Sequence, residues 1–356
     1  MLQMFHVENF RVFKYVKIDL CSNLNFFCGN NGAGKSSLIE AITILTRGKS
    51  HRSNNLAFAI RHDEEFFRVG GRIESLSGFS QIGIEKSYTQ LKIRLNEQNV
   101  NSLSKLAEII PVQVIDSEIL RIVHSGPVIK RSFLNWGCFH FDQIYRETWK
   151  NYNKIHKQIN STLKLQDKNL LRSWYPSLIS SANILHQQRL LQVDKLNLIL
   201  NEHYRGWFGN NQIRITYRKG WSEKNDFHES ILLNEKRNLF NETLTIGPHR
   251  ANLVLKIGDK DASTNLSKGQ QKMLAMAMYL SQVKILKTYL KIKPIILIDD
   301  LVSELDKYNV ELVLHDINTM DLQTIVTSIE LSAIKKSTNG KQADFFTLDS
   351  GIISPQ

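Results

Sequence analysis

The chain has 356 residues, 42% of them hydrophobic and 22% charged, an ordinary composition for one large or two moderate soluble domains with a sizeable core. Lys and Arg outnumber Asp and Glu by 46 to 34, a formal net charge of +12, which favours a polyanionic partner, nucleic acid being the commonest. No run of about eighteen apolar residues is present to span a membrane. The N-terminal "MLQMFHVENFRVF" has polar breaks where a signal peptide needs an apolar core. Three scattered cysteines, Cys21, Cys28 and Cys138, are too few for a disulfide framework or a zinc cluster and suggest reduced thiols in a cytoplasmic protein.

Taken in chain order, "KIDL" (17–20) and "LNFFC" (24–28) read as short strands, the second apolar enough to be buried. "SLIEAITILT" (37–46) has apolar residues at helical spacing. "FRVGGRIESL" and "QIGIEKSYTQLKIRL" alternate with period two around polar turns and predict an antiparallel ribbon. A buried strand, "IPVQVID" (110–116), follows. Residues 131–204 contain Pro176 and Gly137 as their only proline and glycine and predict a helical lobe. "IRITYRKGW" (213–221) returns to strand-like alternation. The last part alternates "NLVLKI", a helix from Ser267 to about Tyr289, "PIILIDD", a helix near 306–317 and "QTIVTS". That alternation implies a largely parallel sheet in an α/β domain.

"GNNGAGKSS" sits between the buried strand and the first helix and has the spacing of a phosphate loop, Gly29, four residues, Gly34, Lys35 and Ser36. The glycines let Gly29, Asn30, Asn31, Gly32, Ala33 and Gly34 curl so that backbone N–H groups point at phosphate oxygens. Lys35 adds a cation that reaches the β- and γ-phosphates, Ser36 is the candidate Mg²⁺ ligand, and Ser37 completes the helix start. "PIILIDD" delivers Asp299 and Asp300 at the carboxyl end of a buried strand, where ligands bind in such sheets. Asp299 is the candidate for holding Mg²⁺, and Asp300 for polarising an attacking water. "LSKGQ" (266–270) is a polar turn opening a helix, with Ser267, Gly269 and Gln270 where free N–H groups suit a phosphate. The same stretch also reads as an N-capped amphipathic helix with Met273, Met276, Leu280 and Val283 on the core.

The phosphate loop, the Asp299 strand, "LSKGQ" and "SELD" (303–306) together resemble the motifs of the ABC-type ATPases. "LSKGQ" resembles their signature and "SELD" their D-loop. The resemblance implies an α/β fold: an ABC-type ATPase lobe from residues 1–129 and 236–356, with residues 130–235 inserted as a mainly helical second lobe. It also implies that Ser267 touches ATP held by the opposite subunit of a dimer. The stretch from Ser36 to Ser267 is longer than in transporter subunits and too short for the coiled coil of SMC heads. Thr327 and Ser328 stand where transporter ATPases usually place a His. Many related ATPases have Glu at the position of Asp300, and the shorter Asp implies slow hydrolysis.

"NFRVF", "IRHDEEFFRVGGRI", "KRSFLNWGCFH" and "TIGPHRANL" complete a resemblance, over nearly the full length, to the RecF family of bacterial recombination mediators. The chain departs from that family at Asn135 and Asn252, where Asp is common, and at "DSE" (116–118), where a Pro-Glu pair is common. Gln113 falls where the family's Q-loop would lie, making it a further candidate Mg²⁺ contact. The resemblance implies a weak, DNA-stimulated ATPase with ATP and Mg²⁺ as cofactors. Its partners would be double-stranded DNA, gapped DNA junctions and, alongside RecO, RecR. It would act as an ATP-dependent homodimer that helps place RecA on single-stranded gaps. Two rivals are a nucleotide-gated DNA-binding scaffold with negligible ATPase activity and a transporter-coupled ATPase. For DNA contacts the sequence offers several sites. Lys150, Lys154, Lys157, Lys164 and Lys168 share one helical face beside Trp149 and Tyr152, as either a phosphate track or a solvated face. Arg214, Arg218, Lys219 and Lys224 cluster around Trp221. Arg52 and Arg61 face DNA or nucleotide, and His249-Arg250 in "GPHR" is a candidate for joining the ATPase lobe to the signature region.

Overall fold

A computed structural model describes residues 1–75, 78–100, 103–301, 305–329 and 343–356. The chain divides into two compact units, residues 1–119 with 286–356, and residues 120–285.

The first unit is built on two six-stranded sheets. One is antiparallel, in the order Phe13–Asp19, Leu2–Phe10, Phe66–Ser75, Gly78–Ser87, Leu91–Leu95 and Gln98–Asn99. The ribbon expected from the period-two alternation is the middle of this sheet. The other runs Ile352–Pro355, Ala343–Asp349, Leu24–Cys28, Thr324–Ser328, Ile295–Ile298 and Val112–Ile115. It is parallel throughout except for its last hairpin. Strands Leu24–Cys28, Thr324–Ser328 and Ile295–Ile298 are buried along their whole length, as strands covered on both faces are, and Phe27 stacks on Phe346 with ring centroids 4.6 Å apart.

Helix Lys35–Arg47 packs on strands of both sheets, and every residue from Ser37 to Thr46 is buried. Its apolar residues therefore recur on all sides rather than along one stripe. Buried Gln323 ties the first strand to the parallel sheet: its Oε1 accepts from Leu2 N (2.6 Å), and its Nε2 donates to Leu2 O (2.8 Å) and Cys21 O (2.9 Å).

The second unit contains helices Pro127–Phe141, Gln143–Leu165 and Lys168–Ile199. Pro176 removes one helical N–H but does not end the last of them. The turn between the second and third is made by Gln166, whose φ of 58° is left-handed, and by Asp167, which caps the next helix through Leu170 N (3.0 Å). A three-stranded antiparallel sheet, Lys260–Asp261, Asn252–Ile257 and Ile213–Arg218, completes the unit. Its free edge is covered by side chains. Asn197 exchanges two hydrogen bonds with the backbone of Ile215 (2.9 and 2.7 Å), and Asn201 two with Ile213 (2.6 and 2.9 Å). Two amides one helical turn apart thus imitate a missing strand and close an edge that would otherwise invite pairing. Among the described residues, no helix is long and apolar enough to cross a membrane.

Candidate nucleotide site

Four strand ends of the parallel sheet meet at one carboxyl edge. Ser328 is in register with Cys28, and Ile298 with both Val326 and Ile115. Asp299 and Asp116 therefore leave adjacent strands at the same level, with Thr327 beside Asp299. The phosphate loop starts from the same edge, where Gly29 N donates to Ser328 O (3.2 Å).

The loop's glycines are required by its own surroundings. A Cβ at Gly29 would lie 2.1 Å from the Leu348 carbonyl oxygen. Gly34 has φ 116°, and a Cβ there would lie 2.8 Å from Val12 Cγ2. The helix that follows carries no side-chain cap at its N-terminus, which leaves first-turn N–H groups for an anion. Lys35 folds over the loop and donates through Nζ to Gly29 O (2.6 Å) and Asn30 O (3.2 Å). Asn30, Asn31 and Gly32 are exposed, Ser36 is half-buried, and Ala33, Lys35 and Ser37 are buried. The result is an anion cradle with an ammonium group across its mouth.

Thr327 organises the two aspartates. Its hydroxyl donates to Asp299 Oδ1 (2.7 Å) and accepts from Asp300 N (2.9 Å), while Asp299 N donates to Ile115 O (2.8 Å). Asp300 takes a left-handed backbone, φ 55°, which Asp tolerates better than most residues. Asp299 and Asp300 are both half-buried residues at the edge, next to the cradle's strand series, and Asp300 Oδ1 is itself buried.

Two residues join the edge that sequence reasoning did not select. His51 feels the charges of Asp116, Glu40 and Asp299, and Asp116 those of His51 and Asp299. Burial holds His51 below the usual histidine range and raises Asp116 above the usual carboxylate range, so it favours the neutral form of each. His51 Nδ1 is buried without a hydrogen-bond partner. Asp116 carried a usable signal, because its strand ends in an acid as the Asp299 strand does. His51 carried none, lying four residues beyond the helix in a polar turn.

Gln113 is not brought to this edge. It is buried in mid-strand opposite Ile296, three residues and about 10 Å below Asp116, and its Nε2 bonds to Val114 O (3.2 Å). Arg52 and Arg61 serve the local frame: Arg52 lies 3.8 Å from buried Glu40, and Arg61 donates to Val12 O (2.8 Å). Of the D-loop stretch, residues 303 and 304 lie outside the described residues, while Asp306 caps helix Lys307–Met320 through Asn309 N (2.9 Å).

In the second unit, Ser267 and Gln270 form a reciprocal capping box at the start of helix Lys268–Leu290. Ser267 N donates to Gln270 Oε1 (3.0 Å), and Gln270 N to Ser267 Oγ (3.3 Å). Residues 267–270 are all exposed. Gly269 has no positive φ, and a Cβ there would meet nothing within 4 Å. Met273, Met276, Leu280 and Val283 are buried, but so are Leu274, Ala275, Ala277 and Met278, so the helix is covered on all sides rather than amphipathic.

The lysine stripe is shorter than the spacing suggested. Lys150, Lys154, Lys157 and Lys164 are exposed on helix Gln143–Leu165, but the left-handed Gln166 ends that helix, so Lys168 begins the next. Trp149 is stacked between Tyr145 and Tyr152 (6.3 and 6.0 Å) and is therefore a packing residue, not an open platform. Lys219 is likewise engaged, with Asn225 O (3.1 Å) and the Trp221 ring (5.3 Å).

The family described as RecF/RecN/SMC N terminal domain matches residues 1–346. The "DNA replication and repair protein RecF" of Shewanella loihica is 31% identical over 355 residues, covering 99% of both chains. That of Shewanella denitrificans is 32% identical over 356 residues, again covering 99% of each. The chain belongs to the RecF family of ABC/SMC-type ATPases. Membership makes it a DNA replication and repair protein. Its fold agrees with that of the recombination mediator RecF solved with ATP (TM-score 0.89, 24% identity, covering 100% of this chain and 97% of the other). It also agrees with an Smc head bound to the C-winged helix domain of ScpA (TM-score 0.65, 14% identity, covering 100% and 96%).

Proposed function

We propose that this protein is an ATP-gated clamp on double-stranded DNA, in which each nucleotide is held by the phosphate loop of one protomer and the signature turn of its twin. Support comes from the contrast between its two glycine-bearing motifs. The phosphate loop is shaped by its own unit, whereas Gly269 answers no requirement inside the chain, and Ser267, Gly269 and Gln270 are exposed. A glycine in open space at a helix N-terminus keeps that terminus approachable to an anion from outside. The uncapped helix start, the glycine cradle and Lys35 suit ATP, and the relatives' recombination mediator solved with ATP supports that choice.

The hydroxyl of Ser36 and the carboxylate of Asp299 are hard oxygen ligands of the kind that would hold Mg²⁺, which neutralises phosphate charge when bound. Thr327 fixes the Asp299 carboxylate and the Asp300 backbone, so that Asp300 can orient a water for slow hydrolysis, stimulated weakly by DNA. Hydrolysis removes the group shared by the two protomers and releases the clamp. Through RecR, with RecO, the DNA-bound dimer helps place RecA on single-stranded gaps at junctions with duplex, in the cytoplasm on the nucleoid. The pairing of Asp299 and Asp300 around the Thr327 hydroxyl at the sheet edge favours this reading over a scaffold without turnover.

The test is mass in solution without nucleotide, with ADP, and with ATP and Mg²⁺, each with and without duplex DNA. The parent should double its mass with ATP and Mg²⁺. Ser267→Arg should stay monomeric while melting close to the parent, since losing one cap costs about 1 kcal/mol. Pairing of Ser267→Arg on ATP would sink the shared-nucleotide reading.

A further inference from the structure

Beyond the nucleotide site, the second unit holds an arginine cluster with no acidic hydrogen-bond or ion-pair partner among the described residues. The turn Gly247–Arg250 is held rigidly. His249 Nε2 lies 2.9 Å from Leu244 O, which can only accept, so that nitrogen carries the proton. Nδ1 then accepts from the Tyr152 hydroxyl at 2.7 Å. Burial, helped by neighbouring His156 and Arg250, pushes His249 down to about 3, so the ring is neutral at physiological pH.

Behind the turn, Arg131 donates to Ala251 O (3.0 Å). Arg189, wholly buried, donates to Pro248 O (2.7 Å), Asn135 Oδ1 (2.8 Å) and Tyr145 Oη (3.1 Å). Each of these acceptors is neutral. The positive charges of Arg189 and Arg250 reach Arg131, so the three form one electrostatic group. Buried cations ordinarily draw a carboxylate, and this group has none among the described acceptors.

In front of the turn lies an open cleft of about 410 Å³, lined by Arg237, Asn241, Thr243, Thr245 and Arg250. Arg237 and Arg250 are both exposed, and neither guanidinium has an ion-pair partner among the described residues. Asn241 uses one amide N–H on Arg237 O (2.9 Å) and keeps the other. The Thr243 hydroxyl is only loosely held, at 3.4 Å from Asn160 Oδ1, and can turn toward a ligand. All five lining residues are polar and none is acidic. Two guanidinium forks facing a polar, uncharged wall match the oxygens of a phosphoryl group. The cleft is open to solvent, so an extended polyanion can pass through it, as a nucleic-acid backbone would.

We propose that Arg237 and Arg250 form a phosphate clamp that takes a backbone phosphodiester of duplex DNA. The assignment of the phosphate to DNA rests on the clamp function proposed above; the phosphate chemistry does not. Binding of the full-length protein to a fluorescent duplex is measured by anisotropy over a KCl series, with a slowly hydrolysed ATP analogue present. Each of Arg237→Gln and Arg250→Gln should weaken binding and flatten the slope of log K against log salt by about 0.9. Arg237→Lys and Arg250→Lys should restore the slope, because the charge count returns.

In parallel, with the phosphate loop saturated by the same ATP analogue, thermal midpoints are read with and without inorganic phosphate, which should stabilise the parent but not the double Gln variant. A flattened slope in the Gln variants assigns the clamp to DNA. Failure of the parent to bind duplex sinks the DNA function, and a phosphate response lost in the double variant then keeps the clamp as a site for a free phosphoryl group. The same phosphate loss with unchanged DNA slopes also moves the ligand from DNA to a free phosphoryl group. Slopes and phosphate response that are both unaffected by the Gln variants overturn the clamp.

Discussion

Glu40 in the first unit and Arg189 in the second are both sealed from solvent, yet only Glu40 has a partner of opposite charge. Glu40 takes a two-pronged bond from Arg11 (3.1 and 3.0 Å) and one from Ser50 (2.6 Å), with Arg52 at 3.8 Å. Arg189 is met by a carbonyl, an amide and a phenol, with the Trp149 ring 5.2 Å from its guanidinium. The first unit satisfies its buried charge from within and spends that rigidity on the frame of the phosphate loop. The second leaves positive charge uncompensated, which suits a surface that receives anions.

The sharpest way to break this contrast is to remove Glu40. Glu40→Ala leaves the part-exposed Arg11 guanidinium with its bond to Phe58 O and frees Ser50 and Arg52; losing one partner of a fully buried pair costs about 3–5 kcal/mol, and the exposure of Arg11 puts the expected loss at the lower end of that range. Urea unfolding should show a loss of that size. A loss under 1 kcal/mol would mean that the pair is incidental. ATP turnover should fall with stability, because His51 follows Ser50 directly and faces the carboxylate edge.

Asp300→Asn probes the same unit without disturbing its frame. Asn has nearly the same shape and also tolerates a left-handed backbone, so the melting midpoint should stay at the parent's value. Single-turnover hydrolysis should drop on the order of a hundredfold, as expected when a catalytic group is lost or misplaced. Equal turnover would remove Asp300 from the chemistry and leave the first unit as a nucleotide-gated scaffold.

The same contrast marks what could be read from the residues alone. Strand Leu24–Cys28, helix Lys35–Arg47 and strand Ile295–Ile298 were legible, because local apolar pattern and glycine spacing determine them. The RecF resemblance and the ABC-type α/β fold followed from motifs of that local kind. The first strand, Leu2–Phe10, was not read, since its buried residues are broken by Gln3, Met4, His6 and Glu8. Its place depends on partners far along the chain, including Gly70, which has no side chain where the His6 ring packs. His51 was invisible for the same reason, because its neighbours Asp116 and Asp299 belong to distant strands. Lys168 leaves the lysine stripe through a single backbone event, the left-handed Gln166. Gln113 was aligned by position along the chain, while strand register decides how deep a residue sits.

The smallest expected effect is the most direct test of the charge imbalance. Asn135 Oδ1 accepts from Arg189 (2.8 Å) and from the Tyr145 hydroxyl (2.7 Å), so Asn135→Asp keeps the shape and adds the missing charge. The Arg189 bond is already charged on the donor side, and a carboxylate acceptor makes both of its partners ionised, the stronger case. A gain of about 1 kcal/mol is therefore expected, or about 2–4 °C in melting midpoint. The guanidinium would hold the new carboxyl below its unfolded value of about 3.9. The gain is then complete above that pH and fades as acid takes the carboxyl through its lowered folded pKa. Neutralising Arg189 should also weaken the field behind Arg250, so phosphate and duplex affinity should fall as stability rises. Opposite signs in the two assays are what an arginine cluster kept unpaired for an external anion requires. A variant that gains both stability and affinity would show that the missing carboxylate has no bearing on binding.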